Sequence, residues 1–205
     1  MTESELLLQK ILSEKGVKHQ KLPESGIRTP DFQVCCGDMV SYWEVKELEE
    51  NPDEREILKQ YEAGEGEVYS IDSGRIENKI KSACGQFKKY GVDDKPCVIV
   101  LCDMRDFAVK DLLLVQNIQA LMLGSAEFAQ NRDGQWVEVN RHSGMFTSRK
   151  EYVSAVVVMF SATEKALVLH NPNASNSLLG SELMSVFPDQ YQAIVRSEGL
   201  CWEMV

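Results

Sequence analysis

The sequence of 205 residues lacks an uninterrupted apolar segment of the length needed to span a membrane. Its start, Met1 to Glu5, lacks the basic and apolar regions of a signal peptide. A Cys-x-x-Cys pair is also missing, which argues against a zinc site, and the cysteines lie mostly inside apolar stretches, which argues against a disulfide framework. We therefore expect an intracellular, cytoplasmic protein with no membrane partner, whose cysteines are reduced and packed mostly in the core. These are Cys35, Cys36, Cys84, Cys97, Cys102 and Cys201.

Positive charge is scarce as well. The formal net charge is −10, which argues against a broad nucleic-acid-binding surface, because a polyanion needs local positive charge. The imbalance is concentrated between Glu44 and Glu67, where ten acids face three bases. From Arg75 to Tyr90 the balance reverses, since five bases accompany the single acid Glu77. This distribution is compatible with a confined phosphate-binding groove on an acidic protein.

The chain does contain enough apolar residues, 43%, for a substantial core. Its length predicts a single domain over residues 1–205, with a core of about residues 1–125 and a C-terminal sheet extension of about 126–205. Hydrophobic periodicity predicts an α/β protein with a mixed sheet. The predicted helices cover Ser4–Lys15, a short segment from Asn51 to Gln60 or Tyr61, Arg75–Tyr90, Val109–Leu123 and Pro188–Val195. The predicted strands cover Phe32–Val34, Met39–Val45, Pro96–Cys102, Gln135–Val139, Val153–Phe160 and Ala166–His170, and Leu200–Trp202 is predicted to be an end strand or a cap. The strand Pro96–Cys102 is expected to pair parallel to its predecessor because a helix intervenes, and the strands Val153–Phe160 and Ala166–His170 are expected to be antiparallel to each other.

Three connecting segments are also predicted. Gly16 to Arg28 is expected to be a polar connector, Gly64 and Gly66 indicate a loop after the second helix, and Gly124 is expected to close the helix that ends at Leu123.

The most informative stretch is the predicted hairpin whose turn lies at Gly37-Asp38. Because side chains alternate along a strand, Glu44 and Lys46 share a face while Val45 points into a core. Asp31 lies at the mouth of the partner strand, so two carboxylates and one amine converge. Carboxylate oxygens hold Mg²⁺, which neutralises phosphate charge and lowers the pKa of a bound water, while a lysine orients that water. The plainer alternative is a Pro-Asp turn beside a chance acid-x-Lys triplet.

The pair Pro30-Asp31, followed by Glu44-Val45-Lys46, resembles the PD-(D/E)xK signature of nucleases with the restriction-endonuclease-like fold. The resemblance covers about half of the chain and implies a central mixed β-sheet flanked by helices. It implies that Asp31 and Glu44 bind Mg²⁺ or Mn²⁺, that the Val45 carbonyl is a third ligand, and that Lys46 is catalytic. DNA is the substrate it implies.

The family often supplies a further acid from the first helix. Glu5 is our candidate, although Glu3 or Glu14 fits equally well by sequence. A solvated helix face is the alternative for each of the three.

The basic helix predicted at Arg75–Tyr90 carries a second resemblance. Gln86 and Tyr90 are one turn apart and project together, and the spacing is similar to the Gln-x-x-x-Tyr element of RecB-type exonuclease-like members. The resemblance implies that both contact the substrate strand, and Lys79 on the same side is expected to grip it. An ordinary amphipathic helix with a half-buried tyrosine is the alternative. Its predicted apolar stripe is Ile76, Ile80, Ala83 and Phe87.

These features together predict a metal-dependent nuclease whose affinity for DNA is low and falls with added salt, or whose substrate is delivered by a partner. A protein partner and a homodimer are both left open. The alternatives are a nuclease-like binding module without chemistry and an unrelated α/β domain. His170 precedes Asn171-Pro172, and a turn that ends the strand is preferred there over a catalytic role. His19 is expected at the surface, and His142 has no predicted role.

Overall fold

The computed structural model describes residues 1–23, 28–64, 73–105, 110–196 and 199–205. Within this part of the chain, eight strands form one mixed sheet with helices packed on both faces, which confirms the predicted α/β class. In chain order, the elements are α1 (Glu3–Glu14), β1 (Lys18–Lys21), β2 (Phe32–Cys36), β3 (Met39–Leu48), α2 (Pro52–Glu62), α3 (Ser73–Tyr90), β4 (Cys97–Asp103), α4 (Lys110–Leu123), β5 (Gly124–Gln130), β6 (Trp136–Ser143), β7 (Val153–Phe160), β8 (Lys165–His170), a 3₁₀ turn (Met184–Val186), β9 (Asp189–Arg196) and β10 (Gly199–Met204).

The strand order of the large sheet is β1-β2-β3-β4-β7-β8-β9-β10, and β5 and β6 form a separate hairpin. β1, β2 and β3 form an antiparallel meander, and β4 pairs parallel to both β3 and β7. The parallel pairing of β3 with β4 is confirmed; it follows from the helix between them. The predicted antiparallel pairing of β7 with β8 is also confirmed. The C-terminal strands therefore extend the same sheet.

The sheet is buried on both faces at its centre. All seven residues of β4 are buried, as its continuous apolar sequence predicts. Successive β4 residues pack in two separate cores on opposite faces of the sheet. Ile99 packs with α3 and α4, and Val100 packs with Leu8 and Leu12 of α1. The predicted stripe of α3 is buried in the first of these cores. Its members are Ile76, Ile80, Ala83 and Phe87.

Two glycines fix the chain reversals. Gly37 opens the two-residue loop between β2 and β3 with a φ of +56°, a backbone conformation that glycine adopts readily. Gly124, predicted to close the preceding helix, joins α4 to β5 with a φ of +90°. A Cβ atom there would lie 2.0 Å from the carbonyl oxygen of His142, so no other residue fits without a backbone shift. The β5–β6 hairpin depends on this close approach.

Two of the predictions are wrong. The predicted helix Pro188–Val195 is the strand β9, which pairs parallel to β8 and antiparallel to β10. The segment from Gly16 to Arg28, predicted to be a polar connector, contains β1. β1 has little apolar sequence of its own, and pairing with β2 supplies its backbone hydrogen bonds. The predicted end strand at Leu200–Trp202 is confirmed as part of β10.

Some predictions lie partly outside the described residues. The loop predicted around Gly64 and Gly66 falls largely in residues 65–72, and the predicted start of the helix at Val109 also lies outside them. The cysteines are all free, and three of the six, Cys84, Cys97 and Cys102, are buried. No helix in the described ranges is long and apolar enough to cross a membrane.

Candidate active site

The face of β3 that looks toward α3 carries the predicted pair of Glu44 and Lys46. Val45 lies between them on the opposite face and packs in the core with α1, as strand alternation requires. The Lys46 Nζ donates to Glu44 Oε1 at 2.5 Å and to Gln86 Oε1 of α3 at 2.7 Å. Gln86, which is distant in sequence, therefore joins Glu44 and Lys46 in one cluster.

Asp31 joins this cluster from the start of β2. Phe32 pairs with Trp43 across the antiparallel strands, so Asp31 lies opposite Glu44 at the next position. Its Oδ2 accepts a hydrogen bond of 2.8 Å from the Val45 N–H. Because of this bond the carboxylate lies over the backbone beside Glu44. Asp31 and Glu44 are therefore opposite each other across β2 and β3, and Lys46 is bonded to Glu44.

Glu44 has the most unusual environment of the cluster. Its residue surface is 1% exposed, and its Oε2 is buried without a hydrogen-bond partner. Burial raises the pKa of this carboxyl to about 7, and the negative charge of Asp31 adds to the rise, although Lys46 and Gln86 oppose it. A buried carboxylate with an open oxygen destabilises the fold, because its hydrogen bonds to water are lost on burial and are not all replaced by protein donors.

No family model, no curated protein and no solved structure matches the chain. What the cluster can bind follows from its donor atoms.

The donor atoms suit one hard cation. The open Glu44 Oε2 and the carboxylate of Asp31 are the oxygen ligands that Mg²⁺ and Mn²⁺ prefer. Among the described residues, no three His, Cys, Asp or Glu side chains form a complete metal cage. Two carboxylates are sufficient for Mg²⁺, which keeps several waters and is usually held by one or two carboxylates together with substrate phosphate. The residues present therefore fit such an ion, with Asp31 and Glu44 as its holders.

The predicted substrate-binding residues of α3 have different surroundings. Gln86 donates from Nε2 to the Thr29 carbonyl at 3.2 Å while accepting from Lys46, so it ties the site to the segment before β2. Tyr90 is 38% exposed, and its ring lies edge-on to that of Tyr42, with centroids 5.9 Å apart. Tyr42 shares the face of β3 that carries Glu44. The aromatic pair therefore lies beside the cluster, while Gln86 is part of it.

Lys79 lies seven residues before Gln86 on α3, about two turns away on the same side of the helix. It is partly exposed. The structure brings Gln86 into the charged cluster, and it leaves Lys79 outside the cluster on the same side of α3.

Sequence reasoning missed Lys21 of β1. Its Nζ donates to Asp31 Oδ1 at 2.8 Å and to Glu5 Oε1 at 2.6 Å. Glu5, the preferred candidate for an acid from the first helix, is thus linked to Asp31 through a lysine. The signal for Lys21 is absent from local sequence, because only the pairing of β1 with β2 places it near Asp31.

The three histidines take no part in this cluster. His19 lies in β1, half-buried and edge-on to Phe32. His142 is exposed in β6. His170 ends β8, as predicted, but it is buried, and its Nε2 bonds to Gln190 Oε1 at 2.9 Å.

A second charged cluster lies at the ends of β4 and α2. Arg105 donates from Nε to Asp103 Oδ1 at 2.7 Å and from a terminal nitrogen to Asp103 Oδ2 at 3.0 Å. The same guanidinium reaches Glu54 Oε1 at 3.1 Å, and Arg75 pairs with Glu54 Oε2 at 2.8 Å. Both oxygens of each carboxylate are thus paired, which is typical of a structural network.

Proposed function

We propose that the protein is a nuclease of the PD-(D/E)xK type that hydrolyses phosphodiester bonds of DNA with the help of Mg²⁺ or Mn²⁺. The observation that carries the proposal is the buried, unpartnered Oε2 of Glu44, beside Asp31 and bonded through its other oxygen to Lys46. The order of helix, antiparallel hairpin, basic helix and parallel buried strand supports it, because the resemblance implies this order. Asp31 and Glu44 would hold the metal, with the Val45 carbonyl as the third ligand.

The reaction adds water across a P–O bond: a hydroxyl is transferred to phosphorus and a proton to the leaving oxygen. When bound, the metal neutralises phosphate charge and lowers the pKa of a water. Lys46 contributes a positive charge and hydrogen-bond donors beside the reacting phosphate, where negative charge increases in the transition state. Gln86 keeps the Lys46 side chain in place through its 2.7 Å hydrogen bond.

The substrate strand would run along α3. Lys79 on one flank supplies charge for a phosphate, and Tyr90 on the other supplies a ring on which a base can stack. The net charge of −10 opposes binding elsewhere on the surface, so affinity is expected to be low and to fall with salt. Delivery of DNA by a partner protein or in a homodimer would offset this weakness.

The first test is cleavage of labelled single-stranded and double-stranded DNA with Mg²⁺ or Mn²⁺. Lys46→Ala is expected to lower the rate by about 100-fold or more, since it removes a transition-state donor. Lys81→Ala is the matched control, because Lys81 is exposed on α3 and pairs only at the surface with Glu77. Equal background cleavage by the wild-type and Lys46→Ala proteins would remove the enzymatic proposal.

A nuclease-like binding module without chemistry is the second candidate. One observation favours it: both Asp31 oxygens already accept hydrogen bonds within the protein, from Lys21 and from the Val45 N–H. Calorimetry with MnCl₂ separates the two candidates. An active site binds Mn²⁺, and Asp31→Asn abolishes that binding, whereas a degenerate site shows no binding in either protein.

A further inference from the structure

The ammonium group of Lys21 sits between two carboxylates that come from different elements. Its Nζ lies 2.6 Å from Glu5 Oε1 and 2.8 Å from Asp31 Oδ1. It also lies 5.2 Å from the centroid of the Phe32 ring, within the range of a cation–π contact. The side chain is only 27% exposed, so these contacts fix the position of the charge.

Both carboxylates are anchored on their other oxygen. Glu5 Oε2 accepts a 3.1 Å hydrogen bond from the Thr2 N–H in the capping box of α1. Asp31 Oδ2 accepts a 2.8 Å hydrogen bond from the Val45 N–H of β3. Each carboxylate therefore has one oxygen held by the backbone and presents the other to the same point. Two convergent, anchored carboxylate oxygens are what a cation position requires, and the lysine ammonium fills this position.

We propose that Lys21 takes the place of a second cation beside Asp31 and so restricts the site to one divalent ion. The inference rests on the proposed function for the ion held by Asp31 and Glu44. The charges agree with it: three carboxylates, those of Glu5, Asp31 and Glu44, face two ammonium groups, those of Lys21 and Lys46. These groups sum to a charge of −1, so one divalent ion brings the cluster to +1, which a substrate phosphate balances, whereas two ions would bring it to +3. Lys21 is thus a positioning residue that sets metal stoichiometry.

The test is the number of Mn²⁺ ions bound per full-length chain, measured by calorimetry with MnCl₂. The wild-type protein is expected to bind one ion and Lys21→Met two, because the freed Glu5 and Asp31 oxygens then accept a cation. Lys21→Arg keeps the charge and is expected to bind one. Lys18→Met is the matched control, since Lys18 is exposed on the same strand, and it is also expected to bind one. Adding Glu5→Gln to Lys21→Met should return the number to one.

The outcomes separate this inference from the proposed function. Equal stoichiometry in the wild-type and Lys21→Met proteins would overturn the inference and leave a one-ion nuclease intact. A wild-type protein that binds no Mn²⁺, beside a Lys21→Met protein that binds one ion through Glu5, would show that Lys21 fills a cation position but would overturn both the one-ion stoichiometry and the metal site at Glu44. No binding in any variant would reject both. Lys21→Gln, which keeps a donor of shorter reach, gives the same test if Lys21→Met is unstable by circular dichroism.

Discussion

Two buried acidic clusters flank the parallel strands β3 and β4, and they differ in how completely their carboxylates are paired. Glu44 and Asp103 are each 1% exposed. Asp103 receives a two-pronged contact from Arg105, whereas Glu44 has one oxygen on Lys46 and the other without a partner. Burial alone does not distinguish a structural carboxylate from a functional one. The open oxygen does, because it leaves a place for a ligand.

The two clusters should therefore respond differently to substitution. In the Asp103 cluster each charge compensates another, so removal of one member leaves buried charge that is no longer balanced by its opposite. In the Glu44 cluster the buried carboxylate already lacks a partner on one oxygen, so removal of its charge should stabilise the fold while it removes the proposed metal ligand. We therefore expect substitutions in the Asp103 cluster to lower stability without a direct effect on cleavage. In the Glu44 cluster we expect stability to rise while cleavage is lost.

The largest expected effect on stability comes from Arg105→Met. The change removes the guanidinium that compensates the buried negative charge of Asp103 and Glu54, which should lower the free energy of unfolding by about 3 to 5 kcal/mol. Urea denaturation followed by circular dichroism measures it. Arg55→Met is the matched control: Arg55 is mostly exposed, its contact with Glu50 is 3.8 Å long, and its loss should change stability by less than about 0.5 kcal/mol. A loss below about 1 kcal/mol for Arg105→Met would contradict the structural interpretation of this cluster.

The second prediction concerns Glu44→Gln in the absence of metal. Because the folded-state pKa of Glu44 is raised to about 7 from 4.5, its contribution is favourable below about pH 4.5 and is lost as the pH rises through 7. Glu44→Gln avoids this loss, and its side-chain oxygen can still accept from Lys46. The variant should be more stable than the wild type by about 1 to 3 kcal/mol at pH 8, with the difference shrinking toward pH 5.

The measurement is urea denaturation at pH 5 and pH 8 with a chelator present. Asp103→Asn serves as the comparison in the other cluster, and it should destabilise the fold at both pH values. Cleavage activity should be lost in Glu44→Gln. A Glu44→Gln protein that is less stable than the wild type at pH 8 would show that Glu44 is a structural residue like Asp103.

The parts of the site that could be predicted from sequence are those fixed by the regular repeat of side-chain direction along a strand or a helix. Alternation along β3 is enough to place Glu44 and Lys46 on one face and Val45 on the other. The turn at Gly37 sets the register that brings Asp31 opposite Glu44. The helical stripe of α3 turns Gln86 toward the sheet, and the continuous apolar sequence of β4 requires burial on both faces. Each of these is a local pattern with a strong physical cause.

The parts that sequence did not predict depend on partners far along the chain. β1 reads Lys-His-Gln-Lys and has no apolar alternation, so its strand, and with it the position of Lys21, comes from pairing with β2. β9 follows Pro188, and its short apolar content fits a helix or a strand. Pairing with β8 and β10 decides it. The open oxygen of Glu44 could not be predicted from sequence either, because such a prediction requires the positions of all neighbouring hydrogen-bond donors.

The smallest expected effect concerns His170, which tests whether an open atom alone indicates function. Its Nδ1 is buried without a hydrogen-bond partner, like Glu44 Oε2, but β4 and β7 separate its strand β8 from β3 in the sheet. Burial lowers the pKa of His170 below 6.5, although the bond to Gln190 opposes the shift. Its contribution to stability is therefore complete above about pH 6.5 and is lost as the pH falls through the folded-state pKa.

His170→Gln keeps a nitrogen donor for Gln190 Oε1 and removes the titration. The wild type should lose stability relative to this variant as the pH falls from 7 to 5, by at most about 1.4 kcal/mol per pH unit, because only one proton is involved. His142→Gln, at an exposed position, should show no such difference. DNA cleavage at pH 7.5 should be unchanged in both variants. A selective loss of cleavage in His170→Gln would mean that an unpartnered buried atom marks a functional residue even without a neighbouring carboxylate. His170 would then belong with Glu44 among the functional residues.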